Sequence, residues 1–105
     1  MRPTITARHC EISDALRERA ESVVERLENM ASRPMESSVV FDTDGIGLIA
    51  EIRLHLASGE VLVARGDGSD HRTALDRAEE KLRRQIERAS ERPRRTRSTQ
   101  PNQPL

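Results

Sequence analysis

A chain of 105 residues has room for one domain and not two, and with hydrophobic and charged residues each at 34% its core must be small and its surface mostly ionic. Its 18 basic and 18 acidic groups cancel, which excludes a molecule-wide pull toward nucleic acid or an anionic membrane. The chain carries no apolar run long enough to span a bilayer, no apolar block of a signal peptide and only one cysteine, Cys10, so it reads as a cytoplasmic protein of a reducing compartment.

The first element is a strand over Thr4-Ile5-Thr6-Ala7-Arg8, β-branched and alternating, with Ile5 and Ala7 on one face. Ser13 then has the chemistry of a helix N-cap, and Asp14 sits in the first turn, where the macrodipole favours an anion. Leu16, Ala20, Val23, Leu27 and Met30 keep the helical period, with Val24 widening the stripe. Arg19 and Arg26 border that stripe on one side and Arg17 on the other. Ser32-Arg33-Pro34 closes the helix, because proline lacks the next amide donor and biases the residue before it out of the helical region.

After Pro34 the period changes to two. Val39, Val40 and Phe41 mark a second strand, and Asp42-Thr43-Asp44-Gly45 supplies a turn. Leu48, Ala50, Ile52, Leu54 and Leu56 alternate with Ile49, Glu51, Arg53 and His55, a strand with one buried and one largely polar face. Ser58-Gly59 connects to a strand over Val61 to Ala64, and Gly66-Asp67-Gly68-Ser69 is expected to loop to the last helix, Asp70 to Arg92. The order is β-α-β-β-β-α. Two amphipathic helices and a one-sided sheet pack economically as an α+β domain, both helices on one face of a four-stranded, mostly antiparallel sheet, a plan similar to double-stranded-RNA-binding domains. Residues 1–92 form that domain, and residues 93–105, rich in arginine, serine, glutamine and proline with almost nothing to bury, form a disordered basic tail.

The last helix divides its surface. Leu75, Ala78, Leu82, Ile86 and Ala89 make the core-facing stripe. Arg77, Lys81, Arg84 and Arg88, at steps of four, three and four, line a second face, and most of the remaining arc is acidic. Charge is segregated along the chain as well: residues 36–70 carry two basic and seven acidic groups, residues 71–105 ten basic and five acidic. Seventeen of the eighteen cations are arginine, which pairs bidentately with phosphate oxygens. The plain alternative for such a stripe is a solubilising face laced with i, i+4 pairs such as Glu80 to Arg84.

Nothing in the sequence has the spacing of a reaction centre. Cys10 and His9 are adjacent on a strand and point to opposite faces, with no second cysteine to complete a ligand set. Asp42-Thr43-Asp44-Gly45 starts like a calcium loop but lacks its closing glutamate. Gly66-Asp67-Gly68 lacks the Lys-Ser/Thr of a phosphate-binding loop, and its aspartate would repel phosphate. The chain therefore reads as a non-enzymatic protein with no cofactor, no metal and no small-molecule substrate. Phe41 is its only aromatic residue, so base stacking across an aromatic platform is excluded. Any RNA contact must run through phosphates and shape.

Two segments carry a family resemblance. Glu11-Ile12-Ser13-Asp14-Ala15-Leu16-Arg17, followed in register by Arg26-Leu27-Glu28, is similar to the first-helix pattern of the ribosome hibernation-promoting factors and ribosome-associated translation inhibitors, also called sigma-54 modulation or S30AE-type proteins. Asp70-His71-Arg72-Thr73-Ala74-Leu75-Asp76 and Lys81-Leu82-Arg83-Arg84-Gln85-Ile86 resemble that family's second-helix signature, and coverage runs from about Ile5 to Arg88. The chain resembles the short form, with no dimerising second domain. Arg72 stands where the family usually has tyrosine, and Met30 where it often has an aromatic.

The resemblance implies a stress-response or stationary-phase translation inhibitor that binds the decoding region of the small ribosomal subunit and silences idle ribosomes. Its partners would be the small subunit and its ribosomal RNA, with no membrane, and the protein would be monomeric off the ribosome. Carried over residue by residue, the RNA-binding positions are Arg17, Arg26, Lys81, Arg84 and Arg88; Arg77 rests on the stripe spacing alone. The basic tail favours the hibernation-promoting subtype over the one with an acidic extension. The rival reading is a protein-binding regulatory module of the same fold that has lost the ribosome, its stripe meeting an acidic partner surface.

Overall fold

Ser13 starts the first helix as its chemistry demands: its hydroxyl accepts from the Leu16 amide at 3.0 Å, and α1 (Asp14–Met30) follows. The computed structural model describes residues 3–45 and 47–99. Before α1 comes β1 (Thr4–Ala7); after it come β2 (Pro34–Thr43), β3 (Leu48–Leu56), β4 (Val61–Gly68) and α2 (His71–Thr99). The four strands lie in the order β1-β2-β3-β4, with β1 parallel to β2 and the other two pairings antiparallel. This is the expected β-α-β-β-β-α plan.

Strand alternation sorts the sheet into two faces. Val39 and Phe41 of β2, Ala50, Ile52 and Leu54 of β3 and Leu62 and Ala64 of β4 are buried beneath Ala20, Val23, Val24 and Leu27 of α1 and Leu75, Ala78, Leu82 and Ile86 of α2. Ser37, the one buried polar residue of this layer among the described residues, donates to Glu28 Oε2 at 2.8 Å and so leaves no polar group unpaired under α1. Ala74 joins the α2 stripe while Ala89 stays half-buried. Met30 departs from the expected stripe and is 38% exposed, because α1 ends there.

Three boundaries differ from the sequence reading. β2 begins at Pro34 itself, with a register shift between Pro34 and Glu36; an irregular strand start tolerates a residue without an amide donor. β4 runs through Gly66 to Gly68, where a loop was expected. A Cβ on Gly66 would overlap the Ala74 carbonyl oxygen and lie 2.6 Å from the Ala78 nitrogen, and one on Gly68 would lie 2.9 Å from the Thr73 side chain. These glycines mark a close approach of helix to strand, not a loop. Finally, the helical backbone of α2 continues past Arg92, where the sequence reading ends the helix, and through Pro93 to Thr99; residues 100–105 of the expected tail lie outside the described residues.

Candidate nucleic-acid interface

The start of α2 is set by Asp70, whose Oδ1 accepts from the Thr73 amide at 2.7 Å while its carbonyl accepts from the Ala74 amide. That cap, with Arg72 and His71 alongside, holds the Asp70 carboxyl below the usual carboxylate range. His71 is fixed too, its Nε2 3.0 Å from the Asp42 carbonyl and its ring edge-on to Phe41 at 5.5 Å. The Asp42 carboxyl is likewise lowered, first by its hydrogen bond from His9 and then by the Thr43 amide. With its start pinned and two glycines beneath it, α2 lies close along β4, the free edge of the sheet.

The spacing of the helix then matches that of the strand. Four helical residues rise about 6 Å, and two strand residues advance about 6.7 Å. Arg77 donates to the Asp67 carbonyl at 2.8 Å, Lys81 to the Arg65 carbonyl at 2.8 Å and Gln85 to the Val63 carbonyl at 2.7 Å. This ladder runs antiparallel to β4 and occupies alternate carbonyls of its outer edge. Arg84 and Arg88 extend the basic face along the same helix; Arg84 pairs with Glu80 at 3.1 Å, and Arg88 is exposed with no partner among the described residues.

The six cations singled out by sequence thus fall into three places. Arg77, Lys81, Arg84 and Arg88 come together on α2 beside β4. Arg26 lies in the seam between the helices, paired with Glu79 at 3.0 Å, near the related pair Arg19 to Asp76 at 2.9 Å. Arg17 donates to the Ile5 carbonyl at 3.4 Å, on β1. Since β1 and β4 are opposite edges of a four-stranded sheet, Arg17 is separated from the α2 row by about 14 Å of sheet.

Their electrostatic states differ with their partners. Arg26 and Arg84 face carboxylates, which offset their charge locally. Arg77 and Lys81 are held by neutral carbonyls, so their positions are fixed while their charge stays uncompensated by the contact. Gln85 and Arg65 join this face in addition to the six cations that the sequence singles out. Extending the i, i+4 step from Arg77 and Lys81 would have reached Gln85, and the alternation of β4 puts Arg65 opposite the buried Ala64, exposed at the edge. The arrangement carries no nucleophile and base in contact; it offers fixed positive charge and hydrogen-bond donors. Phe41 is fully buried and offers no base a stacking surface.

Comparison with known proteins gives a consistent set of likenesses. The profile described as "Sigma 54 modulation protein / S30EA ribosomal protein" matches residues 4–94. The ribosome hibernation promoting factor of Salmonella typhimurium is 33% identical over 88 residues, 84% of this chain and 92% of that one. The ribosome hibernation promotion factor of Rhizobium meliloti is 28% identical over 85 residues, 80% of this chain but 45% of the relative, so the chain spans less than half of that protein's length. Among solved structures, a ribosomal subunit interface protein from Coxiella burnetii superposes with a TM-score of 0.74 at 21% identity, covering 86% of this chain and 98% of that one. The N-terminal domain of Thermus thermophilus Protein Y gives 0.70 at 29% identity, covering 81% and 93%.

Proposed function

This chain belongs to the sigma-54 modulation protein / S30EA ribosomal protein family, and from that premise we propose that it is a ribosome hibernation factor that inhibits translation by occupying the decoding region of the small subunit. Affinity comes from arginine and lysine contacts to ribosomal RNA phosphates, and the protein acts in the cytoplasm as a monomer off the ribosome. The observation that carries this reading is the row Arg77, Lys81, Arg84 and Arg88 on one face of α2, two of its members anchored by uncharged acceptors. Phosphate recognition needs fixed cations and no aromatic platform, which suits a chain whose only aromatic is buried. Arg26 contributes once RNA competes with Glu79 for it, and Arg17 makes a separate contact from the β1 side.

The rival reading, a protein-binding module of the same fold, draws on the pairs Arg26 to Glu79 and Arg84 to Glu80, which offset two of the six cations. Cosedimentation with purified small subunits across a salt series separates the two. About five phosphate contacts give a log–log slope near −4, at roughly −0.7 to −0.9 per contact. A salt-insensitive association, or none, would remove the RNA-contact reading.

A further inference from the structure

The hairpin joining β3 and β4 closes with the Leu56 amide donating to the Glu60 carbonyl at 2.9 Å, and this bond sets the parity of the whole ladder. Leu54 with Leu62, Ile52 with Ala64 and Ala50 with Gly66 exchange both backbone bonds, so Val63, Arg65 and Asp67 turn their amide and carbonyl groups outward from the sheet. The three outward carbonyls are taken by Gln85, Lys81 and Arg77. The three outward amides have no partner among the described residues. From Val63 to Asp67 the edge is therefore sorted, its acceptors closed and its donors open; Val61, which turns outward by the same parity at the hairpin end, has no partner for its carbonyl among the described residues.

That sorting selects a class of ligand. An added polypeptide strand needs donors and acceptors in alternation, so it would have to displace three side chains from β4. A phosphodiester chain carries acceptors and negative charge only. The open donors lie among cations, with Arg65 on the strand and Lys81 and Arg77 on the helix. A groove of about 370 Å³ beside the edge is lined by Arg65, Gly66, Asp67, Lys81, Ile49, Asp44 and Gly47. The carboxylates of Asp67 and Asp44 oppose an anion there and limit its affinity.

We infer that the free edge of β4, through the backbone amides of Val63, Arg65 and Asp67 together with Arg65, Lys81 and Arg77, binds the phosphodiester backbone of ribosomal RNA. This rests on the ribosomal reading above and adds backbone donors to a contact otherwise ascribed to side chains. The test uses the full ¹⁵N-labelled chain titrated with an oligouridylate. The amide resonances of Val63, Arg65 and Asp67 should shift downfield and saturate, those of Leu62, Ala64 and Gly66 should move little, and added salt should reverse the shifts. Arg65→Pro removes an outward amide without removing a ladder bond. Compared with Arg65→Ala, which removes only the side-chain charge, it should weaken small-subunit binding about tenfold more, the worth of one hydrogen bond to a charged group. The dispersion of each variant's amide spectrum reports whether it is folded. Shifts confined to α2, with the three edge amides still, would overturn the inference, as would edge shifts that depend on protein concentration without RNA, which would mean strand pairing between copies. If the oligouridylate moves nothing while small subunits still capture the chain, the edge contact alone is refuted; if both fail, the ribosomal reading falls with it.

Discussion

Replacing Gly66 with alanine tests how the basic row is positioned. The added Cβ would overlap the Ala74 carbonyl oxygen and lie 2.6 Å from the Ala78 nitrogen and 2.9 Å from the Arg77 Cβ. The first two are backbone atoms of α2 and cannot swing aside, so relief requires the helix to lift from β4. Overpacking of this kind costs about 1 to 3 kcal/mol, and the lack of a yielding side chain favours the upper end. Lower unfolded-state entropy returns about 0.4 to 1 kcal/mol, leaving a net loss near 2 kcal/mol. For a domain of this size that is a fall in Tm of about 8 to 16 °C, read by circular dichroism or calorimetry. Gly45→Ala is the control, since a Cβ there meets nothing within 4 Å. Lifting α2 would also stretch the bonds from Arg77 and Lys81 to β4, so Gly66→Ala should bind small subunits more weakly than Gly45→Ala at a temperature where both are folded. A Gly66→Ala variant that melts within about 2 °C of wild type would refute the close-approach argument.

Asp70→Asn should lower Tm at neutral pH by weakening the α2 cap. Because the Asp70 carboxyl is held below its ordinary range in the folded state, its contribution is present at neutral pH and lost as the pH falls through that lowered value; the gap between wild type and variant, followed by melting across an acid series, should therefore close at low pH. A gap that stays constant into strong acid would show that the carboxylate's charge is not what matters. Ending the chain after Arg92 should leave Tm nearly unchanged, as the removed residues have little to bury, while small-subunit affinity falls modestly with the loss of Arg94, Arg95 and Arg97. A large loss of thermal stability would mean that the segment packs.

The order of elements and most of the core were legible because they rest on periodicity: the switch from 3.6 to two after Pro34, and back again at Asp70, is written in the apolar residues. The four cations of the row on α2 were legible for the same reason, since helical spacing alone collects Arg77, Lys81, Arg84 and Arg88 on one face. Features that depend on two elements meeting were not. Gly66 and Gly68 carry the local signature of a loop, and only the approach of α2 shows that the missing side chains make room. Arg26 and Arg84 look equivalent to Lys81 in the sequence, yet the first two meet carboxylates and the third a carbonyl. Arg17 appears beside the same apolar stripe as Arg26, but the sheet order carries it to the opposite edge. The early half of β2 carries Met35, Glu36, Ser37 and Ser38, too polar to announce a strand, and pairing with β3 supplies what periodicity does not.

If the cationic face of α2 carries the ribosome contact, the structure dictates which variant abolishes it. Glutamate at position 81 would set a carboxylate against the Arg65 carbonyl, so the cleaner change is Arg77→Gln, Lys81→Gln, Arg84→Gln and Arg88→Gln together, which removes four charges while leaving an amide donor at each position. Cosedimentation with purified small subunits over a salt series is the measurement, with amide spectra to confirm the fold and Glu87→Lys as a charge-changing control off that face. Binding by the fourfold variant should be lost at physiological salt, any residual binding at low salt should show a log–log slope smaller by about 3, and the control should bind at least as well as wild type. A folded fourfold variant that cosediments with the wild-type salt slope would contradict the account.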